Sequence, residues 1–116
     1  MSDRLPKHLD DAAHAARLAL RFVRGHRLDD YRADELLRSA VERQVEIIGE
    51  ACRRAASDTP DLRERVPEMV LAVAMRNRIA HGCDTVDDDI VFETVTTRFA
   101  ALLDGLGREL LRFRAA

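Results

Sequence analysis

Cysteine is scarce in this sequence, with Cys52 and Cys83 its only two. Cys52 falls inside a helical pattern and Cys83 just after one, so there is neither a disulfide framework nor a zinc-ligand spacing, and both read as reduced thiols. Long apolar runs are missing too. None approaches the roughly 20 residues needed to span a bilayer, and the N-terminus Met-Ser-Asp-Arg-Leu-Pro lacks the apolar core of a secretory signal. The expectation is a cytoplasmic protein without membrane attachment. An excess of positive charge is also absent. The net charge of −2 and a pI near 6.1 exclude a protein that coats nucleic acid through bulk electrostatics, so any such contact has to be local. No period-two strand of useful length and no internal repeat appears.

Lysine is almost absent: Lys7 is the only one, leaving eighteen arginines among nineteen basic residues. Arginine suits phosphate recognition, yet a genomic base composition that favours alanine and arginine accounts for the bias without any function. At 116 residues and 47% hydrophobic content, the chain reads as one domain spanning 1–116. It is large enough for a core and small enough that a partner chain would help.

What is present is helical periodicity. Leu5, Leu9, Ala12, Ala16, Ala19 or Leu20, and Val23 recur at steps of three and four, which predicts an amphipathic helix ending near Gly25. A short helix or turn is expected around Asp29 to Arg32. A long helix should run from about Asp34 to Ala56 on the stripe Leu37, Val41, Val45, Ile48, Cys52 and Ala55, stopped by Ser57-Asp58-Thr59-Pro60. A brief piece spans Asp61 to Arg65. Pro67 suits a first helical position, and Glu68 to Ala80 is so apolar up to Met75 that it should be the most buried helix. The last helix has Asp87 as N-cap, Asp88 and Asp89 in its positive first turn, and Val86 placed to staple against Val91. Its stripe runs from Val91 through Val95, Phe99, Leu102, Leu106 and Leu110 to Phe113, and Gly105 and Gly107 weaken its middle in a way that would let another helix approach. The fold class is therefore all-α, an antiparallel bundle of four to five helices.

Chemistry concentrates where the third long pattern begins to lose its apolar character, at Met75-Arg-Asn-Arg-Ile-Ala-His-Gly-Cys83. Arginine supplies a permanent cation with paired donors for phosphate, and histidine the side chain whose pKa lies nearest neutrality. The Arg-x4-His spacing of Arg76 and His81 carries no weight alone. Eighteen arginines and four histidines give about 0.6 chance matches in a chain of this length, and Arg21 with His26 is a second copy. Geometry adds a constraint. At about 100° per residue, positions five apart on a continuous helix point about 140° away from each other, so Arg76 and His81 cannot serve one phosphate as regular helical neighbours. Asn77 and Arg78 do share a face with His81. Either the helix unwinds before Gly82, or two copies of the chain meet and each site borrows from both. A plain alternative is structural: His81 stabilises a helix C-terminus, and Arg76 or Arg78 pairs with an acid such as Glu46 or Glu50.

The segment Met75 to Asp87, followed by Ile90-Val-Phe-Glu-Thr-Val-Thr96, resembles the signature of the HepT-like proteins of the HEPN superfamily. The upstream strings Ala33-Asp-Glu-Leu-Leu37 and Val45-Glu-Ile-Ile-Gly-Glu-Ala51 resemble it as well. The family's mark is an Arg-x4-His motif with asparagine after the arginine, matched by Arg76, Asn77 and His81 and not by Arg21 and His26. The resemblance implies an HEPN-like bundle in a two-fold homodimer, with both motifs at a shared cleft, and metal-independent endoribonuclease activity without a cofactor. It implies a toxin whose antitoxin partner is a minimal nucleotidyltransferase. Arg76 and His81 would be catalytic, with Asn77 and Arg78 in support and RNA as substrate. A non-catalytic helical dimer that binds the nucleotidyltransferase or RNA is the competing expectation.

One position departs from the family. Two residues after the histidine it keeps a tyrosine that the partner modifies with nucleotide monophosphates, whereas this chain has Cys83 there, and Tyr31, its one tyrosine, sits far from the motif. Control by tyrosine modification is therefore not carried over. Glu42, Glu46 and Glu50 repeat at steps of four and read as a solvated or ion-paired face. His8, His14 and His26 make no metal constellation with His81, so no metal is expected.

Overall fold

The computed structural model describes residues 4–81 and 87–115. All regular secondary structure among them is helical: α1 (Leu5–Val23), α2 (Leu28–Ala33), α3 (Glu35–Asp58), α4 (Leu62–Arg65), α5 (Glu68–His81) and α6 (Asp88–Ala115). The four long patterns and both short pieces read from the sequence are present. The chain is an all-α bundle, as expected.

Local chemistry sets the boundaries. Gly25 takes φ 79° just past α1, where a side chain would be strained. Asp34 caps α3 by accepting the Leu37 N–H at 3.0 Å. Asp87 caps α6, its Oδ1 accepting the N–H groups of Asp89 (3.0 Å) and Ile90 (3.2 Å). The expected Val86 staple lies outside the described residues.

α3 packs between α1 and α5, and α6 lies along α1. Leu9, Val41, Val45, Ile48, Val95, Phe99 and Leu102 are fully buried where these helices meet. Residues near the start of α1 face the later half of α3, and Ala13 and Arg17 face the stretch from Leu103 to Leu111 of α6, so α1 runs antiparallel to both. Charged pairs tie the short helices on: Arg32 grips Asp89 through two bonds, one of them Nε to Oδ1 at 2.8 Å, and Arg65 chelates the buried Glu109 at 3.1 to 3.2 Å. Both link α6 to a segment that would otherwise rest on few apolar contacts.

Two expectations are corrected. α5 is not the most buried helix: only Met69, Ala72 and Met75 are buried, Val70 is 54% exposed, and Ala74 is exposed. An apolar helix can bury all of its faces only if neighbours surround it, and within one chain α5 has α3 on one side and a slight contact with α6. Gly105 and Gly107 do not admit a further helix. A Cβ on Gly105 would lie 2.6 Å from Val66 Cγ1, so it makes room for the connector between α4 and α5, while Gly107 faces open space. The α6 stripe is buried as far as Leu106, and Phe113 is 37% exposed. No helix among the described residues is long and apolar enough to cross a membrane.

Candidate functional site at the end of α5

Arg76 is the half-buried member of the motif; Asn77, Arg78 and His81 are exposed. α5 continues unbroken through His81, so the helix does not unwind to swing the imidazole towards Arg76. Within one chain the two candidate catalytic residues stay on different faces. Gly82 and Cys83 lie outside the described residues.

Arg76 owes its position to α3. Gly49 of α3 lies directly beneath it: a Cβ there would fall 2.1 Å from Arg76 Cβ and 2.9 Å from the Ala72 carbonyl oxygen. The two helices therefore approach at a point where one has no side chain. The guanidinium then reaches along α3, with Nη2 3.7 Å from Glu50 Oε1, and Nη1 donates to Asn77 Oδ1 at 3.1 Å. The pairing of Arg76 with Glu50 anticipated as the structural alternative is thus present. Asn77 thus accepts from Arg76.

Glu50 is a charge hub. It accepts from Arg53 Nε and Nη2 at 2.9 Å each and from Arg54 Nε at 3.0 Å. The Arg53 bonds foremost, helped by Arg54, hold its carboxyl down at about 2 against the opposing effect of burial. Glu42, two turns earlier, behaves differently: burial first and then the negative charge of Asp88 raise its pKa. Of the stripe expected to be solvated or ion-paired, Glu50 is the ion-paired member.

Around Arg76 lies a cleft of about 330 Å³, open on one side and walled by α1, α3 and α5. His8 and Asp11 come from α1, and Arg43, Glu46 and Arg54 from α3. It presents cations and carboxylates in near balance, which suits a polar ligand that carries both phosphate and hydrogen-bonding groups. The sequence pattern did not reveal that α1 contributes. For the approach of α5 to α3, Gly49 was the available signal, because glycine inside an otherwise regular helix costs about 1 kcal/mol relative to alanine and usually marks a close approach.

The second Arg-x4-His copy is separate. Arg21 is in the last turn of α1, and His26 follows Gly25 in the turn beyond; both are exposed, as is His14. Cys52 is buried in α3, where burial pushes its thiol up to about 12, so it is an inert core residue.

Comparison with known proteins decides the lineage. The family described as "Ribonuclease HepT-like" matches residues 12–108. The chain belongs to the HepT-like ribonuclease family. A protein of Thermococcus cleftensis named "Probable ribonuclease HepT" is 33% identical over 88 residues, covering 76% of this chain and 79% of that protein. No solved structure matches the chain. The HepT-like match spans every element that builds the Arg76 cleft apart from the first turns of α1, and it makes RNA the general substrate class.

Proposed function

We propose that this HepT-like chain is a metal-independent endoribonuclease acting as a two-fold homodimer, with Arg76 and His81 catalytic and Asn77 and Arg78 in support. The observation that carries the reading is the uncovered stripe of α5. Val70, Ala74, Asn77 and His81 follow at steps of four, three and four and are all exposed, Val70 by 54%. His81 thus ends a face that is apolar over its first two turns, about 140° round the helix from Arg76. A second copy packed on that face would cover Val70 and Ala74 and bring two copies of the motif side by side. The small side chain of Ala74 permits close approach.

In such a cleft the chemistry follows from the groups present. His81, as general base, takes the proton of the 2′-hydroxyl; the 2′-oxygen bonds to phosphorus, and the bond to the 5′-oxygen breaks. A protonated histidine, the partner copy's equivalent or the same residue in a later step, returns a proton to that leaving oxygen. Arg76 stabilises the charge that builds on the non-bridging oxygens, as preorganised cations do most effectively when another group already fixes their geometry. Glu50 and Asn77 fix it here.

The proposal extends to a cytoplasmic toxin of a toxin–antitoxin pair whose partner is a minimal nucleotidyltransferase, working as one domain. A second reading, a non-catalytic dimer that binds that partner or RNA, is favoured by one observation: the Arg76 guanidinium is engaged by Glu50 rather than turned to the face of His81. Incubating purified protein with cellular RNA in excess EDTA, beside His81→Ala and Arg76→Ala, separates the two. Cleavage by the wild type, reduced by at least about a hundredfold in both variants, supports the enzyme. RNA equally intact in all three sinks it.

A further inference from the structure

On the other side of α1 from the Arg76 cleft lies a groove whose charge is one-sided. His14, Arg17 and Arg21 form a stripe along α1 that Arg24, the residue just past its end, continues, all exposed. Arg108 and Arg114 of α6 line the continuation of the groove beside Arg17, which with Leu103 joins the two stretches. Five arginines and one histidine line it, with Asp104 as the single carboxylate. The chain as a whole carries −2, so this face departs in sign from the molecule it belongs to. Elsewhere on the bundle several arginines are held by acids, as Arg32 is by Asp89 and Arg65 by Glu109. None of the five groove arginines has an ion pair with a described carboxylate. Holding so many like charges together unpaired is unfavourable, and a polyanion relieves it.

We propose that the α1–α6 groove is a second RNA-binding surface, which takes the phosphate backbone of the substrate remote from the scissile bond. The inference rests on the ribonuclease reading for the identity of the polyanion. Two features of the fold support it. The groove and the cleft share α1: His8 and Asp11 line the cleft, and Arg17, six residues on, lies only about 9 Å further along the helix. A strand engaged at Arg76 can therefore cross the ridge of α1 onto the arginine stripe without a gap. The groove also stays open in the proposed dimer, because α3 stands between α1 and α5, whose far face a second copy would cover. Its floor is leucine, with Leu103 shared by both ends. Apolar walls with cations at the rim strengthen phosphate contacts by excluding water and give no base readout, so the surface should bind without sequence preference.

The test compares Arg17→Glu/Arg21→Glu with Arg63→Glu/Arg98→Glu, a pair of exposed arginines outside the groove that changes the net charge equally. Fluorescence anisotropy measures binding of a 30-nucleotide RNA and of a 6-nucleotide RNA to each, with circular dichroism to confirm folding. The expected result is a loss of about tenfold or more in affinity for the long RNA by the groove variant only, with the log-affinity slope against log salt reduced by about 1 to 1.5. Cleavage of the short RNA should be unchanged. Equal losses in the two doubles, or none in either, overturn the proposal. So does unchanged RNA affinity accompanied by loss of binding to an acidic protein partner. Binding is read independently of cleavage. A wild type that binds long RNA through the groove but cuts nothing therefore refutes the ribonuclease reading and leaves this one standing.

Discussion

Gly49 and Arg76 meet closely enough that the first carbon of any side chain at position 49 would overlap the Arg76 Cβ, at 2.1 Å. The motif's arginine is thus set by a residue twenty-seven positions upstream that contributes no functional group. Gly49→Ala would have to push α5 off α3, because one obstruction, the Ala72 carbonyl at 2.9 Å, is backbone. The expected cost is about 1 to 3 kcal/mol in urea unfolding. RNA cleavage should fall further than that stability loss alone would produce, since the guanidinium leaves its place beside Glu50.

Glu50 makes stability depend on acid. Its carboxyl is lowered to about 2 from an ordinary 4.5 by Arg53 and Arg54, so the folded state holds the charged form more tightly than the unfolded chain does. That contribution is fully present above the ordinary value and is lost as pH falls from about 5 towards 2. Thermal melts of Glu50→Gln should show a shallower decline than wild type over this range, with the two converging at the acid end. Parallel curves would mean that Glu50 is not the titrating group.

Covering Val70 and Ala74 is the proposed role of a second copy. Val70→Asp places a charge in the middle of that face, which costs little in a monomer whose Val70 is 54% exposed and much in a dry interface. Sedimentation should show the wild type as a dimer and the variant as a folded monomer, with RNA cleavage abolished. A variant that remains dimeric would place the interface elsewhere.

Tyr31 offers a test of the core. Its ring is fully buried and tilted against Phe92 at a centroid distance of 5.3 Å, yet its hydroxyl has no hydrogen-bond partner among the described residues. Burial, with the charges of Glu42 and Asp88, pushes its pKa well above the usual tyrosine value. Tyr31→Phe removes an unsatisfied polar atom and should be neutral or stabilising by up to about 1 kcal/mol, whereas Tyr31→Ala should cost about 3 to 5 kcal/mol. Chemical denaturation measures both.

Much of the molecule follows from its sequence alone. The order and approximate ends of the helices are local properties, because caps such as Asp34 and Asp87 and the left-handed Gly25 act within a turn of themselves. The three-and-four spacing of apolar residues within each helix likewise names core positions, Leu9, Val41, Val45 and Phe99 among them, without reference to any neighbour. The motif residues were legible too, through their resemblance to a family that the chain proves to belong to.

Tertiary structure alone decided which way those residues face and what holds them. Periodicity marks a helix face as apolar but cannot say whether the same chain covers it, and so α5, the most apolar segment, keeps Val70 and Ala74 exposed. The contact between Gly49 and Arg76, the hold of Glu50 on the guanidinium, and the charged groove between α1 and α6 all join residues far apart in sequence. Such pairings depend on how helices pack, and packing is settled by the summed shapes of all the faces at once rather than by any stretch of chain.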